Sequence, residues 1–248
     1  MEYILLDGES LTIDRLFQIV VTHSPIKLSE SAITKIQQSR TVVENIIQEK
    51  KTIYGVNTGF GKFSDITIPE DKIDELQRNL VMSHATGVGN PLPEDIVKTI
   101  ILLKINSLAK GYSGVRLEVV DRLIDMYHAG IIPIIPAKGS VGASGDLAPL
   151  AHLTLVLIGM GEVFYQGQKM PGAEAMAKVG IPVLTLKAKE GLALLNGLQV
   201  STAIACHALK QLETLAISAD IIGSLTLDGL KGSKKAFDER IQKARGIP

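Results

Sequence analysis

Apolar residues recur three and four positions apart through most of this chain and alternate almost nowhere, which commits it to helices. Ile33, Ile36, Val43, Ile46 and Ile47 follow that spacing behind Ser29, a good helix-starting residue, and the helix is expected to reach about Gln48. Thr12 stands likewise ahead of Leu16, Ile19 and Val20, in a shorter helix to Thr22. Pro69-Glu70 opens a third helix toward His84, and Pro93-Glu94-Asp95 a fourth toward Gly111, with proline and acids at the end where each is favoured. A fifth spans about Arg116 to His128 and stops at Gly130. Others fit 147–158, 173–178, 189–195 and a long stretch over 197–222. Short strands are expected only at the beginning and in a hairpin over Glu162–Lys169. The apolar run Ile131–Pro136 carries two prolines and reads as extended chain rather than a central strand. The expected class is mainly α with short β-hairpin elements; strand signals are too sparse for a βαβ array.

With 248 residues, 46% of them apolar, the chain can bury a substantial core. It shows no repeat and no Gly/Ser or Pro-rich linker. Its 26 basic and 26 acidic side chains give no long-range pull toward nucleic acid or an anionic membrane, so neither is an expected partner. The longest uncharged apolar-rich run, Leu147–Gly161, falls short of the roughly 20 residues a membrane-spanning helix needs. The lone Cys206 excludes an internal disulfide, and no secretory leader pattern is present; the expected compartment is the reducing cytoplasm. The segment Lys231–Arg245, with six basic and two acidic residues, reads as solvated.

Most familiar motifs fail. Gly159-Met160-Gly161 lacks the third glycine of a dinucleotide loop, because position 164 is Phe. Asp146 stands where the serine-hydrolase elbow needs glycine. The five histidines are scattered without ligand spacing, so no metal is expected. The run Gly139-Ser140-Val141-Gly142-Ala143-Ser144-Gly145-Asp146 is different. Its glycines and small residues let backbone approach backbone, and a helix follows at once. Two readings stand: a tight loop with Asp146 as a helix cap, or an anion or electrophile site beside a helix start. A second patch, Tyr54-Gly55-Val56-Asn57-Thr58-Gly59-Phe60-Gly61, holds either a packed loop anchor or a phenol placed over a site.

Together these residues resemble the histidine ammonia-lyase family, within the wider aromatic amino-acid lyases and aminomutases. The likeness runs from Leu5 to the last residue. It is carried in order by Tyr54–Gly61, Ser83-His84-Ala85-Thr86-Gly87-Val88-Gly89, Gly139–His152 and Leu194-Leu195-Asn196-Gly197.

The resemblance implies a prosthetic group made by the chain itself. The Gly145 nitrogen would attack the Ala143 carbonyl, and loss of two waters would give a methylidene-imidazolone whose exocyclic carbon comes from Ser144. No external cofactor is then required. The implied reaction is elimination of ammonia from L-histidine to give trans-urocanate. Tyr54 matches the tyrosine that takes the β-proton, and Asn196 the asparagine that helps hold the prosthetic group or substrate. Gly59, Gly61, Gly142 and Asp146 stand as loop supports. Ser83-His84 occupies positions where phenylalanine and tyrosine members carry Phe-Leu or His-Leu. A polar pair there suits an imidazole, since leaving one ring nitrogen buried and unpaired costs about 1–3 kcal/mol. The alternatives are a phenylalanine or tyrosine lyase or aminomutase, or an inactive structural module. Members of the family are about twice as long and work as homotetramers. The chain is therefore expected to be the N-terminal lyase region over 1–248, lacking the C-terminal helical half and inactive alone. The helix over 197–222 is expected to expose an apolar side of Val200, Ile204, Leu209, Leu212, Leu215 and Ile217.

Overall fold

The structure is a computed structural model that describes residues 3–59 and 68–246. It divides into two compact units, residues 1–204 and 205–248.

The first unit is built around two helices buried nearly all round. One is α4 (Glu94–Ala109), whose Val97, Ile100, Ile101, Leu102, Ile105 and Leu108 are at most 1% exposed. It packs against α1 (Ile13–Thr22), α2 (Glu30–Gln48) and α5 (Leu117–His128). The other is α6 (Leu147–Leu157), packed against α3 (Ile73–His84), α7 (Gly172–Lys178) and α8 (Glu190–Leu195). Helix starts follow the sequence: the Thr12 hydroxyl accepts from the Arg15 N–H and Ser29 from Ala32. A single 3-10 turn, Glu70–Lys72, precedes α3.

The strands are short but more numerous than the sequence suggests. β1 (Ile4–Leu6) and β2 (Ile26–Leu28) pair in parallel. The expected hairpin is present as β6 (Glu162–Tyr165) and β7 (Gln168–Pro171), turned by Gln166-Gly167 with both residues at positive φ. Two pairings were not expected. β4 (Ile132–Pro133) joins β6, and Pro133 fits because β4 is the edge of that three-stranded sheet. β3 (Val88–Pro91) pairs antiparallel with β5 (Pro136–Lys138).

Helix α9 (Gln199–Gly229) begins in the first unit. Its remainder, the 3-10 turn Lys234–Phe237 and α10 (Glu239–Arg245) make up the second unit. α9 extends past the expected Ile222 to Gly229. Val200 is buried, a correction to the expected exposed face, whereas Ile204, Leu209, Leu212, Leu215 and Ile217 are exposed. The 231–245 segment is exposed almost throughout, as read.

Candidate active site

The six-residue helix α8 is touched by the Tyr54 loop along its length and by the triplet loop at its end. Its first residue, Glu190, is wholly buried and accepts from the Arg116 Nε and Nη2 at 2.8 Å each and from the Lys187 N–H at 2.7 Å. Arg40 stands 3.7 Å from the same carboxylate and donates to the Gly114 and Ala188 carbonyls. A buried carboxylate held by two guanidinium groups fixes the helix start. One residue on, the Gly191 N–H donates to Gln77 Oε1 of α3 at 2.9 Å. The Tyr54 loop packs against the next residue, where a Cβ on Gly55 would stand 2.5 Å from Leu192 Cδ2. Tyr54 is 58% exposed.

The end of α8 meets the Ala143-Ser144-Gly145 loop. The Asn196 Nδ2 lies 3.5 Å from the Ser144 carbonyl oxygen. Gly145 bridges Gly197, and the Asp146 N–H donates to the Gly197 carbonyl at 2.7 Å. Gly145 has φ +125°, and a Cβ there would meet the Gly197 oxygen at 2.6 Å, so residue 145 is restricted to glycine twice over. Ala143 and Ser144 are exposed beside it. Gly142 is different: its φ is +67° but a Cβ would meet nothing within 4 Å. Glycine is favoured there by left-handed backbone, not by close approach.

Asp146 corrects the capping expectation. It occupies the N-cap of α6, yet its side chain makes no capping bond there. The fully buried carboxylate instead accepts from the Ser140 hydroxyl at 2.7 Å, the Ser201 hydroxyl at 2.7 Å and the Ser201 N–H at 2.8 Å. It therefore ties both sides of the loop to the first turn of α9, and its charge sits at that helix's positive end.

Ser83 and His84 close α3. The Ser83 hydroxyl donates to the Leu80 carbonyl at 2.9 Å, and His84 Nδ1 lies 2.8 Å from the same oxygen. A carbonyl can only accept, so the proton belongs on Nδ1, and in the neutral ring Nε2 is an acceptor. The chain then passes Gly87, whose N–H donates to His152 Nε2 at 3.1 Å. There it abuts the start of the triplet loop: a Cβ on Gly139 would stand 3.0 Å from the Gly87 Cα. Gly59 is buried, with its carbonyl accepting from the Thr58 hydroxyl at 2.9 Å. Gly61 lies outside the described residues.

The residues present fit the self-formed group the resemblance implies. The triplet is small and partly exposed, its glycine is pressed against backbone, and the Asn196 amide faces its central carbonyl. Sequence reasoning missed Lys104, Gln77, Arg116, Glu190, Ser140 and Ser201. Lys104 carried a signal, being a single charge within Ile100-Ile101-Leu102-Leu103-Lys104-Ile105. Among the described residues no group of three or more His, Cys, Asp or Glu is placed to hold a metal ion, and no helix is long and apolar enough to cross a membrane.

Residues 11–248 match the family model described as aromatic amino acid lyase. The chain belongs to that family. Among the lyases of known name, histidine ammonia-lyase from Caldanaerobacter subterraneus subsp. tengcongensis is 49% identical over 245 residues, 99% of this chain and 48% of that one. The chain thus spans about half the length of the curated relatives it matches. Among solved lyase-fold structures, ergothionase from Treponema denticola superposes with a TM-score of 0.93 at 30% identity, over 99% of this chain and 49% of that one. Histidine ammonia-lyase from Trypanosoma cruzi gives 0.91 at 34% identity, over 98% and 47%. Structures of differently named enzymes thus share this fold.

Proposed function

We propose that the whole protein is a histidine ammonia-lyase that releases ammonia from L-histidine to give trans-urocanate. The observation that carries this reading is the seating of Asn196-Gly197 against Ser144-Gly145, with the Asn196 amide 3.5 Å from the Ser144 carbonyl. Residue 145 lies against Gly197 with no side chain between them, and a bare glycine lets the triplet backbone fold closely, which favours attack of the Gly145 nitrogen on the Ala143 carbonyl. Two waters leave, one carrying the Ala143 carbonyl oxygen and one the Ser144 hydroxyl. The resulting methylidene-imidazolone supplies an electrophile for the substrate amine. Tyr54 takes the β-proton, and Asn196 holds the triplet or the substrate. The His84 Nε2 accepts from an imidazole N–H, a partner that a phenyl ring does not offer, and Ser83 adds a second polar group. Gly59, Gly61, Gly142 and Asp146 shape the two loops. We read 1–248 as the N-terminal lyase region of a cytoplasmic homotetramer; the apolar residues exposed along α9 in the second unit support an assembly role.

Incubating the whole protein with L-histidine, L-phenylalanine and L-tyrosine tests this reading. Histidine is expected to release equal amounts of ammonia and urocanate, and His84→Leu is expected to lose histidine turnover preferentially. Faster turnover of either aryl substrate would replace the histidine reading with an aryl lyase or aminomutase.

A further inference from the structure

The most unusual group in the core is Lys104, in the middle of α4. It is 1% exposed and pairs with no carboxylate among the described residues. Burial alone pushes its amine down to about 7. An apolar side chain would fill this place without desolvating an amine, so its presence calls for a local reason. Among the described residues the amine donates to two carbonyls, Ala193 at 2.8 Å and Asn196 at 2.9 Å. Both belong to the end of α8, where unpaired carbonyls and partial negative charge collect. Asn196 is also the residue whose side chain reaches the Ser144 carbonyl, and the following Gly197 bridges Gly145. One short segment is thus held from inside the core by Lys104 and touches the triplet on its other side.

We propose that Lys104 is a positioning residue for the Ala143-Ser144-Gly145 loop, holding Asn196-Gly197 at the distance from which they shape it. This role rests on the reading of the triplet as the precursor of the electrophile and of Asn196 as its holder. Lys104 makes no hydrogen bond to the triplet among the described residues and acts through the backbone carbonyls of Ala193 and Asn196, which carry the Asn196 side chain to the triplet.

The test is a double-mutant cycle in the whole protein with Lys104→Met, Asn196→Ala and the pair. Mass mapping of the peptide carrying 143–145 gives the rate of water loss, histidine turnover is measured on the same samples, and circular dichroism verifies folding. Lys104→Met is expected to slow water loss by about tenfold or more. Asn196→Ala is expected to do the same, and the pair to be no slower than the worse single variant by more than about threefold. Lys104→Arg, which keeps donors and charge, should recover most of the loss. Normal water loss in Lys104→Met, or effects that multiply in the pair, would overturn the proposal while an impaired Asn196→Ala upholds the reading of the site. Asn196→Ala indistinguishable from wild type would remove Asn196 from the site and take both down. A Lys104→Met chain that does not fold, with Lys104→Arg folding no better, assigns the residue to global stability and also overturns the proposal.

Discussion

Gly145 lies so close to Gly197 that a Cβ on residue 145 would stand 2.6 Å from the Gly197 carbonyl oxygen. Both glycines also have φ above +120°, at +125° and +142°, where other residues are strained. Gly145→Ala should therefore destabilise the chain by at least about 1–3 kcal/mol and suppress water loss from the triplet. Urea unfolding and peptide mass mapping measure the two effects. An alanine variant as stable as wild type would mean that the contact relaxes at little cost.

Asp146 gathers three donors from Ser140 and Ser201 with its carboxylate fully buried. Asp146→Asn presents an N–H₂ group where acceptors are needed and should cost about 1.5–3 kcal/mol in chemical denaturation. Ser201→Ala keeps the backbone donor, loses only the hydroxyl and should cost less. Equal losses in the two variants would place the weight on the serine hydroxyl rather than on the carboxylate.

His152 gives a pH dependence of known sign. Its Nε2 accepts from the Gly87 N–H, and burial lowers its pKa below the ordinary 6.5. The unfolded chain therefore takes up this proton first as pH falls, so the contribution of His152 is intact above 6.5 and declines as pH drops through the lowered value. Between pH 7.5 and 5, wild type should lose stability relative to His152→Gln. Parallel stability curves for the two proteins would show that the Gly87 contact does not depend on the neutral ring.

Much of the framework was legible because it is local. Thr12 and Ser29 cap the helices they precede, and Gln166-Gly167 turns the hairpin, all within a few residues of their partners. β3 was not legible, because Val88-Gly89-Asn90-Pro91 has little intrinsic strand preference and is held by β5 far along the chain. The supports of the site were hidden for the same reason. Lys104 meets its carbonyls across 89 and 92 residues, and Glu190 meets Arg116 across 74. No periodicity reports such pairings. Asp146 reads as a local cap on any short window, whereas its partner Ser201 lies 55 residues away.

Tyr54→Phe in the whole protein keeps the ring and removes the phenolic oxygen. If that oxygen takes the β-proton, histidine turnover should fall by roughly 10²–10⁴ while the triplet still loses its two waters. Turnover and peptide mass on one preparation check both halves. Near-normal turnover would remove Tyr54 from the base role without touching the triplet.

The central claim, that Ala143-Ser144-Gly145 becomes the electrophile, is tested most directly by the mass of the peptide carrying it in the whole protein. Wild type should be lighter than its encoded sequence by two water molecules. Ser144→Ala, with no β-hydroxyl to eliminate, should not form the group and should lose nearly all histidine turnover. A wild-type peptide at its full encoded mass, from protein that turns over histidine normally, would contradict the account.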